Sequence, residues 1–290
     1  MACTSWRPTG LTPQATAWYF LRVSGAALVL LALGHLLVTH YLAAPSRTDS
    51  QFVAGRWANV LWLAFDWLLL TLALSHGLTG LQGVLKDYVL APPARLLIPT
   101  AAAAVGLGFF AIGSATLLTA DPAALRAGVG PLSGQHWIGE LLSGLLFLVA
   151  TGTYLGLAAL AVWAVRAARG GRPLGRWRFA GQWAWALHRL TGVGIVGFLL
   201  VHILDVLLLP LAPDVYDHTV AAYAHPYLLP LEVALVGAVL YHALNGLRLI
   251  AIDLFERRAV ADQRRLFYAV LGLTVALLLP SVIVLLRAGH

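Results

Sequence analysis

The chain has 290 residues, of which 60% are hydrophobic and 11% are charged, and its formal net charge is +7. A soluble domain averages about 25% charged residues, so this composition excludes an ordinary soluble enzyme and indicates an integral membrane protein. The hydrophobic residues form long runs without alternation, which predicts membrane helices rather than a β-barrel. The one cysteine, Cys3, excludes an iron–sulfur cluster and a cysteine-based zinc site within this chain.

In chain order, residues 1–17 predict a polar tail, and seven apolar segments follow. Each segment is near or above the roughly 20 residues that a helix needs to cross a bilayer. The predicted spans are 18–42, 57–85, 95–119, 136–165, 183–209, 227–254 and 265–287.

The basic residues predict the orientation of these spans. With the N-terminus inside, four arginines fall on the outer side, namely Arg47, Arg56, Arg126 and Arg287. The other 15 of the 19 basic residues then lie on the inner side. The positive-inside rule therefore predicts an N-in, C-out protein, and basic membrane loops explain the net charge without a nucleic-acid partner.

One sequence module occurs twice, at an offset of 166 to 167 positions. Each copy contains, in chain order, an arginine, a glycine and an intramembrane histidine. A carboxylate, a second histidine and another carboxylate follow. The matched positions are Arg22 and Arg189, Gly25 and Gly192, His35 and His202, Asp66 and Glu232, His76 and His242, and Asp87 and Asp253.

The repeat predicts the domain organisation. A first three-helix module spans 18–119 and a second spans 183–290. Three spans that start inside end outside, so one further crossing, within a connector at 120–182, must return the chain before a parallel copy begins. We therefore predict an all-α integral membrane fold of seven helices, with a pseudo-two-fold axis along the membrane normal.

The four matched histidines are the candidate functional residues. A two-fold axis places His76 opposite His242 and His35 opposite His202, and two neutral imidazoles on one axis suit bis-histidine haem iron. Zinc is disfavoured because further ligands at short spacing are lacking. A single intramembrane histidine more often only bonds a neighbouring helix, so a haem-free transporter or receptor with proton-sensitive histidines stays open at this point.

Residue counting leaves several points undecided. The distances of the two histidine pairs from the helix ends do not separate them into two levels. His40 is an alternative to His35, although it has no repeat partner. The intramembrane carboxylates Asp66, Asp205 and Glu232 are candidates for ordering a ligating histidine, for approaching a haem or for helix contacts.

The modules resemble the two membrane-anchor subunits of succinate:quinone oxidoreductase, respiratory complex II. The second module resembles the cytochrome b subunit, through His188-Arg189-Leu-Thr-Gly192, His202-Ile-Leu-Asp205 and His242-Ala-Leu-Asn-Gly-Leu-Arg248. The first resembles the hydrophobic anchor subunit, through Arg22-Val-Ser-Gly25, His76-Gly-Leu-Thr-Gly-Leu81 and Asp87-Tyr88. This chain departs from the family in fusing what are usually separate subunits.

The resemblance implies a role for each matched residue. His76 and His242 correspond to the axial ligands of an inner haem b, and His35 and His202 to those of an outer haem in diheme members. Arg189, Asp87 and Tyr88 correspond to the quinone site, and His188 and Arg248 to residues near the haem propionates. The quinone, menaquinone or ubiquinone, is left open because Trp185 stands where the ubiquinone-reacting branch has serine.

The resemblance also implies partners and a location. The anchor would dock a flavoprotein and an iron–sulfur subunit on its inner face, in a bacterial cytoplasmic membrane with the N-terminus cytoplasmic. The chain has no flavin fingerprint or cluster cysteines with which to oxidise succinate by itself. The alternatives are a self-contained transmembrane cytochrome b and a quinol:fumarate reductase anchor working in reverse. The sequence does not decide whether complexes form trimers.

Overall fold

The computed structural model describes residues 12–88, 92–169, 180–222, 225–226, 228–254 and 262–287, and over these ranges it contains helices and no strand. The α-helices are α1 Pro13–Leu36, α2 Ser50–Trp57, α3 Val60–Tyr88, α4 Pro92–Thr119, α5 Pro122–Ala127, α6 His136–Arg169, α7 Ala180–Leu211, α8 Pro213–Ala222, α9 Leu229–Leu254 and α10 Gln263–Arg287. A π-helical segment, Leu37–Leu42, continues α1 directly.

The prediction of an all-helical membrane protein is confirmed. Six helices in the described ranges are long and apolar enough to cross a membrane, namely α1 with its π-helical continuation, α3, α4, α7, α9 and α10. The predicted seventh span is α6, a helix of 34 residues. Its apolar stretch among the described residues is shorter, His136–Val149. The predicted division into tail, modules and connector remains our proposal.

Two helices begin where the sequence predicts a tail or a loop, and each start has a local cause. α1 begins at Pro13, within the predicted tail, because Thr12 accepts a hydrogen bond from the Ala15 amide at 3.1 Å and proline is favoured in the first turn. The loop predicted before the second span contains α2. Asp49 caps this helix by accepting from the Phe52 amide at 2.8 Å.

Four helices form the central bundle. α1 packs on α3, α3 on α7, α7 on α9 and α9 on α1, so the two helices of each module are neighbours and the equivalent helices of the two modules lie diagonally opposite. α4 packs outside α3 and α7, while α10 packs outside α9, α7 and the π-helical segment. Side chains that point inward from equivalent helices of the two modules therefore face each other across the bundle.

The short helices α2, α5 and α8 lie at one end of the bundle, which we call the outer end because the basic residues predict that it faces outward. Asp217 on α8 accepts hydrogen bonds from the Ser50 amide at 2.6 Å and the Ser50 hydroxyl at 2.8 Å. The Tyr216 hydroxyl donates to the Thr48 carbonyl at 3.0 Å, and burial raises the pKa of Tyr216. These contacts join the two modules at the outer end.

Candidate functional site

A large cavity of about 1,190 Å³ runs inside the central bundle. Pockets for one drug-sized ligand measure roughly 300–1,000 Å³, so this cavity has room for more than one small ligand. The four repeat-matched histidines all line it, one from each central helix: His35, His76, His202 and His242.

The first pair, His76 and His242, faces across the bundle with ring centroids 6.5 Å apart and planes at 88°. A metal–nitrogen bond to histidine is about 2 Å long and the ring centre lies about 1 Å beyond the nitrogen, so two imidazoles on opposite sides of one metal have centroids about 6 Å apart. The second pair, His35 and His202, has a separation of 6.3 Å and planes at 70°. Both separations fit one metal ion between two opposed rings.

Hydrogen bonds fix the protonation of the His76 and His242 rings. The Ser24 hydroxyl donates to the Phe20 carbonyl at 2.6 Å, so it accepts from His76 Nδ1 at 2.9 Å. His242 Nδ1 lies 3.1 Å from the His188 carbonyl, which can only accept. The protons therefore sit on Nδ1 in both rings, and the Nε2 lone pairs are available to a metal.

The repeat also matches the residues around these two rings. Thr191, at the position that corresponds to Ser24, lies 3.4 Å from His242 Nδ1. The next residue is glycine in both copies. A Cβ at Gly25 would lie 3.3 Å from His76 Cε1, and one at Gly192 would lie 2.9 Å from His242 Cε1. The stretch from arginine to glycine in each module thus orients a histidine of the same module and leaves space for its ring.

The contact between Ser24 and His76 separates the two pairs in depth. His35 follows Ser24 on α1 by eleven residues, and His202 follows Thr191 on α7 by eleven. At 1.5 Å per residue, this spacing places the His35–His202 pair about 16 Å closer to the outer end. We call His76 and His242 the inner pair, and His35 and His202 the outer pair.

The outer pair has different neighbours. His202 stacks on Phe198 with ring centroids 5.4 Å apart and planes at 11°. His35 Nδ1 lies 3.9 Å from Asp66 Oδ1, beyond hydrogen-bond distance, and has no hydrogen-bond partner among the described residues. The inner pair is thus oriented by direct hydrogen bonds, whereas the outer pair is oriented mainly by packing.

Asp66 is instead held by two other residues of its module. Arg56 Nη2 lies 2.5 Å from Asp66 Oδ1, and Trp57 Nε1 donates to Asp66 Oδ2 at 3.1 Å. The side chains of Arg56 and Asp66 are only 10% and 14% exposed. A buried pair of this kind is costly to break because one unpaired charge stays behind.

Replacing Asp66 by asparagine is therefore expected to lower the free energy of unfolding by about 3 kcal/mol. The matched control is Asp262→Asn, which removes the partner of Arg265 in a pair whose side chains are 88% and 49% exposed. That exposed pair contributes less than about 1 kcal/mol. Thermal unfolding of both variants in detergent measures the difference, and equal shifts would contradict the assignment of Asp66.

His40, the sequence alternative to His35, lies in the π-helical segment. Its Nδ1 is 2.9 Å from the Thr39 hydroxyl, and its Nε2 is 3.8 Å from Glu232 Oε1. The second module has no such segment, since α7 continues as an α-helix beyond His202. His40 and Glu232 both line the outer part of the cavity, as does the buried Asp205.

At the inner end the two matched arginines have similar surroundings. The Arg189 guanidinium lies 4.0 Å from the Trp185 ring centroid, and that of Arg22 lies 4.0 Å from Trp18. Arg22 also forms an ion pair of 2.8 Å with Asp253, and the two side chains are each 30% exposed. Both arginines line the cavity.

The remaining predicted site residues have different surroundings. His188 lines the cavity and stacks on His242 with centroids 3.9 Å apart and planes at 7°. Arg248 is buried, donates to Asn245 Oδ1 at 3.4 Å and is not among the described residues that line the cavity. The side chains of Asp87 and Tyr88, at the end of α3, lie outside the described residues, as does most of the inner loop at 166–178.

The comparisons with known proteins agree with a doubled module. The family profile described as "Succinate dehydrogenase/Fumarate reductase transmembrane subunit" matches residues 4–115 and again 166–280, together more than half of the chain. The succinate dehydrogenase 2 membrane subunit SdhC of Mycobacterium tuberculosis is 38% identical over 104 residues, which are 36% of this chain and 76% of that protein.

A second relative is a succinate dehydrogenase hydrophobic membrane anchor subunit from Halobacterium salinarum. It is 36% identical over 111 residues, which are 37% of this chain and 84% of that protein. Each relative thus matches little more than a third of the chain, as expected if it corresponds to one module. With two profile matches and two such relatives, the chain belongs to the succinate dehydrogenase/fumarate reductase transmembrane subunit family, whose members are membrane-anchor parts of that enzyme.

Proposed function

We propose that this chain is the fused membrane anchor of a succinate:quinone oxidoreductase, which holds haem b and forms the site where quinone takes up electrons. The observation that carries the proposal is the pairing of four repeat-matched histidines across one cavity, with centroids 6.5 and 6.3 Å apart. Bis-histidine haem needs two opposed imidazoles, and the bundle provides such a pair at two depths. Helix packing alone does not need opposed histidines.

The residues present fit two haems. The inner pair offers two Nε2 atoms because both Nδ1 atoms are engaged, and the outer pair has a similar separation. Haem b supplies one-electron transfer when it is bound. The protein's part is to hold the opposed rings, to fix their tautomers and to exclude water with an apolar bundle.

Replacing Ser24 by alanine is expected to disturb the inner haem more than replacing Thr191 by valine. His76 loses its Nδ1 acceptor at 2.9 Å, whereas His242 keeps the His188 carbonyl at 3.1 Å. Loss of such an orienting hydrogen bond weakens metal binding by about 10- to 100-fold. Haem retention and the redox midpoint of each haem measure the effect, and a Thr191→Val effect as large as that of Ser24→Ala would contradict this order.

Arg189, Asp87 and Tyr88 form the proposed quinone site at the inner end. Reduction of a quinone to a quinol takes two electrons and two protons, and negative charge develops on its oxygens. The Arg189 guanidinium stabilises that charge, a tyrosine hydroxyl donates to a carbonyl oxygen, and an aspartic acid relays protons from the inner aqueous phase. Trp185 lies against Arg189 and limits how this arginine can turn.

His188 and Arg248 were both predicted near haem propionates, and their surroundings support different proposals. His188 lies in the cavity, directly against a proposed haem ligand, and we keep it near the inner haem. Arg248 is buried on α9 and donates to Asn245, whose side-chain amide donates to the Ala184 carbonyl of α7. Arg248 therefore supports the packing of α9 against α7 through Asn245.

The soluble partners follow from the same proposal. A flavoprotein subunit oxidises succinate and an iron–sulfur subunit passes the electrons to the inner end, with the anchor in a bacterial cytoplasmic membrane and its N-terminus cytoplasmic. The basic residue distribution supports this orientation. Most of the segments proposed for docking, 166–178 and 255–265, lie outside the described residues.

Purification of the complex from its native membrane tests the proposal. We expect a flavoprotein and an iron–sulfur protein to co-purify with the chain, and pyridine-haemochrome analysis to give two haems b per chain. Haem without soluble partners would favour a self-contained cytochrome b. A preparation without Soret absorption would remove the haem proposal altogether.

A further inference from the structure

Two histidines that the proposed function does not use meet at the outer end. His136 is the first residue of α6 and His218 lies on α8, and both side chains are exposed. Their ring centroids are 5.3 Å apart and their planes are at 63°.

The ring centroids of His136 and His218 are closer together than those of the two opposed pairs in the cavity, which are 6.5 and 6.3 Å apart. Two imidazoles bound to one metal ion at a tetrahedral angle have centroids about 5 Å apart, compared with about 6 Å when they bind from opposite sides. The 5.3 Å separation of His136 and His218 matches the tetrahedral arrangement. By contrast, His188 and His242, stacked at 3.9 Å and 7°, lie too close and too parallel to share an ion.

The two helices that carry these histidines are packed closely at this point. A Cβ at Gly139 on α6 would lie too close to the Thr219 hydroxyl, and 3.0 Å from Val215 Cγ1 on α8. The absence of a side chain at Gly139 therefore lets the two backbones approach. Since Thr219 follows His218 directly, this contact holds the α8 histidine beside the start of α6.

The surrounding charge also suits a cation. Glu140 lies one helical turn after His136 on α6 and is exposed. Glu140 and His218 both line the outer part of the cavity. Among the described residues no group of three His, Cys, Asp or Glu side chains forms a complete metal site, so water must supply the remaining ligands.

We propose that His136 and His218 bind one divalent transition-metal ion of the Zn²⁺ type at the outer surface. Neutral imidazole is a preferred ligand for zinc, and tetrahedral zinc accepts water at open positions. The His136–His218 pair differs from the pairs within the bundle because both of its side chains are exposed. The ion would link the connector helix α6 to α8 of the second module, and it would do so whether or not the bundle holds haem.

The test uses the intact complex, purified without a polyhistidine tag and treated with a chelator. Zn²⁺ binding is measured by competition with a metallochromic indicator in the parent and in the variants His136→Ala and His218→Ala. The matched control is His225→Ala, which removes another exposed histidine between α8 and α9. Haem absorption and thermal unfolding without metal show whether each variant is folded.

We expect the parent and His225→Ala to bind one Zn²⁺ per chain at this site. Either of the other variants should weaken binding by at least about tenfold, as loss of an interaction that supports a metal site does. Zn²⁺ should raise the Tm of the parent and not that of the two variants, because an ion that binds only the folded state stabilises it. Absence of binding in the parent, unchanged binding in either variant, or equal loss in His225→Ala would each overturn the proposal.

Discussion

Alanine in place of His76 is expected to remove the inner haem and to leave the outer haem bound, whereas His35→Ala should do the reverse. Each substitution leaves one imidazole without its opposed partner, and the two levels are about 16 Å apart along the helices. A residue at one level therefore cannot replace a ligand at the other. Pyridine-haemochrome quantification, with spectra of each variant, should fall from two haems to one in both cases.

The control for this experiment is His40→Ala. His40 is close to the outer pair in sequence but contacts Thr39 and lies near Glu232, so both haems should remain. One haem in the parent, lost only with His76→Ala, would reduce His35 and His202 to packing residues. If His40→Ala lost the outer haem and His35→Ala retained it, His40 rather than His35 would be the ligand of the outer haem.

Replacing Arg189 by methionine is expected to lower quinone reduction by on the order of 10²-fold, because removal of one charge-stabilising donor from a reaction site has effects of this size. Succinate oxidation with a soluble artificial acceptor should stay near the parent rate, since those electrons leave before the quinone site. Measuring both activities on the same preparation separates a quinone-site defect from loss of the complex.

Arg22→Met is the matched control for that substitution. The two arginines occupy equivalent positions in the repeat, and each guanidinium lies 4.0 Å from a tryptophan ring centroid. Arg22 is paired with Asp253 at 2.8 Å, so its loss should mainly reduce stability and lower quinone reduction by less than about tenfold. Equal losses of quinone reduction in both variants would argue against a specific role for Arg189.

The repeat made much of the central bundle predictable. Equivalent residues on two parallel modules must face each other across a two-fold axis, so spacing alone predicted which histidines pair. It could not order the pairs in depth, because nothing in the sequence relates the height of Arg22 on one helix to that of Asp87 on another. The contact between Ser24 and His76 gives the two helices a common level, and such a contact exists only after packing.

Other features depend on interactions that a linear pattern does not contain. The roles of Ser24 and Thr191 require knowledge of which ring nitrogen approaches them, although the shared spacing from arginine to glycine in both modules was a usable signal. The helix α2 was missed because its residues are too polar to resemble a span, although an aspartate at the N-cap, here Asp49 three residues before Phe52, is an ordinary capping pattern. The pairing of Asp66 with Arg56 and Trp57 within one module likewise was not visible from the repeat.

The arrangement of the two modules on opposite sides of the central bundle has a consequence for assembly. Each histidine pair takes one ring from each module, so two separate chains would have to meet before either pair existed, and that encounter would depend on their concentrations. Here α6 joins the modules covalently and packs on α7, α8 and α9. The encounter becomes intramolecular, with an effective concentration that can reach the millimolar range. Dilution in detergent should therefore leave the two halves in a fixed one-to-one ratio.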